Sequence, residues 1–129
     1  MQVTDQGGHT SAESFDGRTL YYAKARVPRQ PLYARPLDGG PEKQVVPEIL
    51  GRTFAVVEDG LYYFGRTEAA SVTALCFLDA ARGRAREIAR LELPVATGVG
   101  LTVSPDRKTF LFTAWKPDNA DLMMIENFR

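Results

Sequence analysis

Leu101-Thr102-Val103-Ser104-Pro105-Asp106-Arg107-Lys108-Thr109-Phe110-Leu111-Phe112 reads as a short apolar strand, a tight turn around an aspartate, and an aromatic strand. The same pattern occurs twice more, in Ser11-Ala12-Glu13-Ser14-Phe15-Asp16-Gly17-Arg18-Thr19-Leu20-Tyr21-Tyr22 and in Phe54-Ala55-Val56-Val57-Glu58-Asp59-Gly60-Leu61-Tyr62-Tyr63. Asp16, Asp59 and Asp106 fall 43 and 47 residues apart, a period that belongs to a structural repeat. Asp-Gly between two extended runs favours a hairpin, because glycine accepts positive φ and the aspartate caps the turn. Alternation puts Leu20, Leu61 and Phe110 in one column and Tyr22, Tyr63 and Phe112 on the same face, the pattern of packing between stacked repeats.

A third strand follows each hairpin, in Tyr33–Gly40, Ala74–Gly83 and Asp121–Asn127, and aligns Leu37 with Leu78 and Ile125, and Ala34 with Leu75 and Leu122. After the first two, a glycine turn leads into the more polar Lys43–Val46 and Arg84–Ile88, suited to a solvent-facing outer edge. The third repeat lacks such a strand, yet Gln2-Val3-Thr4 matches Gln44-Val45-Val46 and precedes its hairpin by nearly the same interval. One strand ahead of three incomplete or complete quartets gives twelve, the content of three blades with the strands shifted by one. That offset closes the ring of a β-propeller. The sequence therefore predicts an all-β chain of about three four-stranded antiparallel blades, near residues 8–47, 51–91 and 98–127, with residues 2–4 as the outer strand of a neighbouring or partner blade.

Ser104-Pro105-Asp106, Asp16–Tyr22 and Pro36-Leu37-Asp38-Gly39-Gly40, at this period, resemble the TolB-like, WD-type propeller repeat over essentially the whole chain. The sequence departs from that repeat at Phe15, where the pattern has proline, at Arg107, where it has glycine, and around Gly60, where the second copy is two residues shorter. The ending Asp121–Arg129 resembles the terminus of propeller regions in larger bacterial regulators, which implies a part in ligand sensing.

The 129 residues suffice for one domain with its own core. Lysine plus arginine and aspartate plus glutamate stand at 16 each, so no bulk charge draws nucleic acid or an anionic membrane to the protein. No signal-peptide pattern and no run long enough to span a membrane occurs in these residues, which as written read as cytoplasmic; a periplasmic parent protein is the alternative.

The candidate chemical residues are few. His9 is the sole histidine, in the loop Asp5–His9, and has no second His or Cys with which to hold a metal. Cys76, flanked by Leu75 and Phe77, reads as a small buried hydrophobe rather than a nucleophile. Gly98-Val99-Gly100 precedes a strand and lacks the lysine of a phosphate loop, so it reads as a connection between blades. No Gly-x-Ser-x-Gly elbow occurs. Arg82, Arg84, Arg86 and Arg90 read as a solvated strand edge. Trp115 and the Lys116-Pro117-Asp118-Asn119 turn read as a loop, with Trp115, Asp118 and Asn119 as the candidate protein contact.

The expectation is thus a non-enzymatic propeller scaffold for protein interaction or ligand sensing, without catalytic residues, metal or other cofactor. The alternative is the accessory propeller of a hydrolase or peptidase whose catalytic domain lies on another segment. The protein partner is unspecified. Three blades leave the aromatic flat faces of the first and last blade open, so self-association into a six-bladed ring is expected, with two copies covering each other's open faces.

Overall fold

A computed structural model describes residues 10–25, 27–69, 72–92, 100–116 and 119–126, with side chains except at 10, 66, 114–116 and 119–122. It holds three antiparallel sheets and no helix among these residues. The first blade is β1 (Thr10–Glu13), β2 (Thr19–Ala23), β3 (Arg29–Pro36) and β4 (Lys43–Leu50), paired in that order. The second is β5 (Phe54–Val57), β6 (Gly60–Arg66), β7 (Thr73–Asp79) and β8 (Arg84–Leu91), again in sequence order. The third is β9 (Thr102–Val103), β10 (Phe110–Lys116) and β11 (Asn119–Ile125). Gln2-Val3-Thr4, read as the outer strand of a neighbouring or partner blade, lies outside the described residues.

The first strands of successive blades lie side by side, β1 against β5 and β5 against β9, while β4 of the first blade packs on β6 of the second. That is the radial arrangement of a propeller, with the first strands inside and the fourth strands outside.

Each blade has two faces, and strict alternation sends each side chain to one of them. Tyr21, Leu32, Ala34 and Val46 of the first blade meet Leu61, Tyr63 and Leu78 of the second in one buried cluster. Phe64 and Leu75 of the second blade meet Leu101, Phe110 and Phe112 of the third in another. Rings cross the second seam edge to face: Tyr62 on Phe110 at 5.0 Å and Phe64 on Phe112 at 5.1 Å between centroids. Burial of each such ring stabilises by about 2 kcal/mol, so the two seams supply most of the cohesion. Leu61, Tyr63, Phe110 and Phe112 all look back at the preceding blade, as the repeat columns predict.

Three details differ from the sequence reading. The third strand of the first blade is offset by two residues: Leu61 pairs with Leu78 and Phe110 with Ile125, but Leu20 pairs with Arg35, not Leu37. Leu37 lies beyond the strand end, where its N–H bonds to the Arg18 carbonyl at 2.8 Å. The fourth strand of the first blade runs on to Leu50 through a break in register that steps past Pro31 and Pro47, two residues unable to donate to a ladder. Finally, Tyr22, on the outward face of the first blade, is fully buried and so is not itself part of an open aromatic surface. Its hydroxyl bonds to Glu42, its ring stacks on Tyr33 at 6.1 Å, and Lys24 lies over Tyr33 and pairs with Glu42 at 2.8 Å.

Candidate functional site

The turns that join the first and second strands of each blade, and those that join the third and fourth, gather at one end of the blades, and their chemistry is built from few residues. In the first blade Ser14 Oγ donates to Asp16 Oδ1 at 2.6 Å, while the N–H of Arg18 donates to that same oxygen and the N–H of Thr19 to Ser14 Oγ, both at 3.0 Å. The third blade repeats this atom for atom with Ser104, Asp106, Lys108 and Thr109, at the same three distances. These bonds hold the Asp16 and Asp106 carboxyls below the usual carboxylate range, the serine hydroxyl first and the backbone N–H second. Gly17 occupies the left-handed position of the first turn at φ 71°, and Arg107 occupies it in the third at φ 63°.

The second blade has the shorter turn Glu58-Asp59, and Gly60 there does not have positive φ, contrary to the Asp-Gly reading. Its requirement is space: a Cβ on Gly60 would stand 1.9 Å from the Leu78 carbonyl oxygen.

Between the turns of the first two blades lies a cleft of about 320 Å³. Asp16 and Phe15 line it from one blade and Glu58 from the other, Val45, Val57 and Leu78 supply apolar wall, and Tyr21 reaches it from the inter-blade core. Phe15 is 70% exposed. Tyr21 is 6% exposed, and its hydroxyl has no hydrogen-bond partner among the described residues. Burial, and secondly the Asp16 carboxylate, push the Tyr21 phenol above its usual range, so it stays protonated. In the sequence Asp16 reads as a turn former and Tyr21 as one residue of an aromatic strand, and the cleft is not legible because it is assembled across two blades.

The other candidates are placed as follows. Cys76 is half-buried in β7, and burial pushes its thiol up, the opposite of an activated nucleophile. Tyr63, raised above its usual range by burial first and Cys76 second, is its neighbour. Three arginines of the second blade have partners: Arg82 pairs with Asp79 at 4.0 Å, Arg90 pairs with Glu87 at 2.6 Å and with Glu68 at 3.2 Å, and Arg86 lies over the Phe77 ring. Arg84 to Glu87 are exposed, as a solvated outer edge requires. Trp115 belongs to β10, opposite Ala120, and not to a loop, because the hairpin ladder continues to Lys116 and Asn119. The Trp115 and Asn119 side chains, Asp118, His9, Gly98 and Val99 lie outside the described residues. Among the described residues no three His, Cys, Asp or Glu side chains gather as a metal site, and no helix is long and apolar enough to cross a membrane.

No protein-family model matches the chain, and no curated protein matches it in sequence. Among solved structures it is similar to TolB from Acinetobacter baumannii, at 23% identity and a TM-score of 0.56 over 90% of this chain and 29% of that one. It is also similar to a putative 6-phosphogluconolactonase from Bacteroides fragilis, at 13% identity and a TM-score of 0.52 over 95% of this chain and 38% of that one. The chain thus spans about a third of the length of the structures it matches. At these identities the likeness concerns fold, and with the radial order of the strands it assigns the chain a β-propeller-like architecture.

Proposed function

We propose that the chain is a non-enzymatic scaffold, an arc of a propeller that binds protein surface or a ligand through its rim and is completed by a second copy of itself. The observation that carries this is an open seat on the third blade. Leu111 and Met124 occupy the positions that Tyr62 and Phe77 hold in the second blade, where Tyr62 receives Phe110 of the next blade. Here they are 36% and 55% exposed. An apolar strand face with the layout of an inter-blade seat is suited to another blade.

The WD-type character of the repeat and the likeness of Asp121–Arg129 to regulator propellers support ligand sensing as the finer reading. Trp115, Asp118 and Asn119, at the end of the β10–β11 hairpin, are the proposed protein contact. Lactonase activity is attributed to that other protein, and no residue of this chain is assigned to it.

Light scattering on the purified chain tests the ring. Two chains of 14.3 kDa are expected per particle, with Leu111→Asp reverting the mass to one. A single-chain mass for the unaltered protein at tens of micromolar or more would overturn completion by a second copy.

A further inference from the structure

The cleft between the first two blades is lined by chemistry that packing does not require. Asp16 and Glu58 face it from turns of different blades, two like charges at one cleft. Tyr21 is the second, independent observation: a phenol buried to nine-tenths, lining the same cleft, whose hydroxyl satisfies no other described group. Buried hydroxyls without a partner are uncommon, because the lost hydration is left uncompensated, so a partner from outside the described residues would satisfy the group.

Several features define that partner. The two carboxylates outnumber the one lining cation, Lys43, which is exposed. A primary ammonium has three donors and no acceptor, which matches two carboxylates and the lone pair of a protonated phenol. The apolar wall of Val45, Val57 and Leu78 suits an alkyl stem, and the exposed Phe15 ring at the cleft offers its face to a cation or its methylenes. We propose that this cleft binds the terminal ammonium of an extended alkyl chain, a lysine side chain or a short diamine, between Asp16 and Glu58 with the Tyr21 hydroxyl as third contact. The proposal is independent of how the ring is completed, since every residue in it comes from the first two blades of one chain.

The test is an amide NMR titration of the full chain with 1,5-diaminopentane, with Nα-acetyl-lysine methylamide, and with 1,5-pentanediol as the uncharged control. Both amines are expected to shift amides of residues 14–19 and 57–60 with saturation, and the diol is not. Binding of one amine but not the other supports the ammonium site and identifies its source as peptide or free diamine. Tyr21→Phe is expected to weaken binding roughly three- to tenfold, the worth of one hydrogen bond, while leaving the melting temperature unchanged or higher. Glu58→Gln should weaken binding to a similar degree, and Lys43→Gln should tighten it. The proposal is overturned if the diol shifts the same amides as strongly, if neither amine does so at tens of millimolar, or if Tyr21→Phe lowers the melting temperature and leaves amine affinity unchanged.

Discussion

Arg107 of the third blade reaches Asp59 in the turn of the second, with Nη2 2.6 Å from Oδ1, while its own backbone sits in the left-handed region at φ 63°. The equivalent residue in the first blade is Gly17, which adopts that conformation without steric cost. The third turn therefore exchanges local comfort for a link between blades. Arg107 draws the Asp59 carboxyl below the usual range, and Asp59 reinforces the guanidinium charge in return.

The first prediction separates those two effects. The Arg107 and Asp59 side chains are 31% and 59% exposed, so solvent screening holds the pair to about 0.2–1 kcal/mol. Arg107→Ala loses the pair and keeps the unfavourable φ, and is expected to cost about that much. Arg107→Gly loses the pair but relieves left-handed strain of about 1–2 kcal/mol. Added freedom in the unfolded chain offsets this by about 0.4–1 kcal/mol, so the variant should lie above Arg107→Ala in stability and within about 1 kcal/mol of the parent. Equilibrium denaturation of both variants decides it, and equal losses would show that the left-handed backbone carries no cost here.

The matched turns give the second. Ser14 and Ser104 each donate to an aspartate and accept a threonine N–H with the same distances. Ser14→Ala and Ser104→Ala should thus each destabilise by about 1 kcal/mol, and by the same amount within error. Denaturant midpoints at neutral pH provide the measurement, and a several-fold difference between the two would mean that shared geometry does not imply shared energy.

Much of this architecture is legible from residue order alone. The columns Leu61–Phe110 and Tyr63–Phe112 can be read because alternation and a fixed period constrain them together, and both seams use them as expected. Leu37 misleads because an apolar residue just past a strand looks like its last member, and only the pairing of Leu20 with Arg35 corrects it. Trp115 reads as loop because Pro117 follows it closely, whereas the ladder runs unbroken to Lys116. Tyr22 reads from its column as packed between blades, but the source of its cover is not legible, since that cover includes Glu42 from twenty residues away. The cleft is invisible in sequence because Tyr21, Asp16 and Glu58 come together only when two blades dock.

Acid should weaken the fold through its turns. Asp16 and Asp106 are depressed by serine and backbone hydrogen bonds, Asp59 by Arg107, and Glu42 by Lys24 and then Tyr22. A carboxylate whose folded pKa lies below its unfolded value stabilises the fold above the unfolded pKa, and that contribution is lost as pH falls through the folded one. Stability should therefore be flat from neutrality to about pH 5 and decline below it. Denaturation midpoints at a series of pH values test this, with Asp59→Asn expected to reduce the slope of the acid limb. An unchanged midpoint down to about pH 3 would show that these turns contribute nothing through their charge.

Gly60 should be the least replaceable glycine of the first two blades. A Cβ there would sit 1.9 Å from the Leu78 carbonyl oxygen and 3.0 Å from its carbon, and neither is a flexible side-chain end that can turn away. Relief requires β6 and β7 to part where Gly60 faces Asp79, next to the Leu61–Leu78 pair that forms the first seam. Gly39 is the contrasting case, with φ +105° but nothing within 4 Å of an added Cβ, so its replacement costs only backbone strain of about 1–2 kcal/mol. Gly60→Ala is expected to cost more than about 3 kcal/mol, in the range of severe core lesions, and to raise amide exchange at Leu61 and Leu78 before other positions. Denaturation of Gly60→Ala beside Gly39→Ala, with hydrogen exchange on whichever folds, is the measurement. If Gly39→Ala proves the more damaging, the close approach at Leu78 is looser than the 1.9 Å spacing implies.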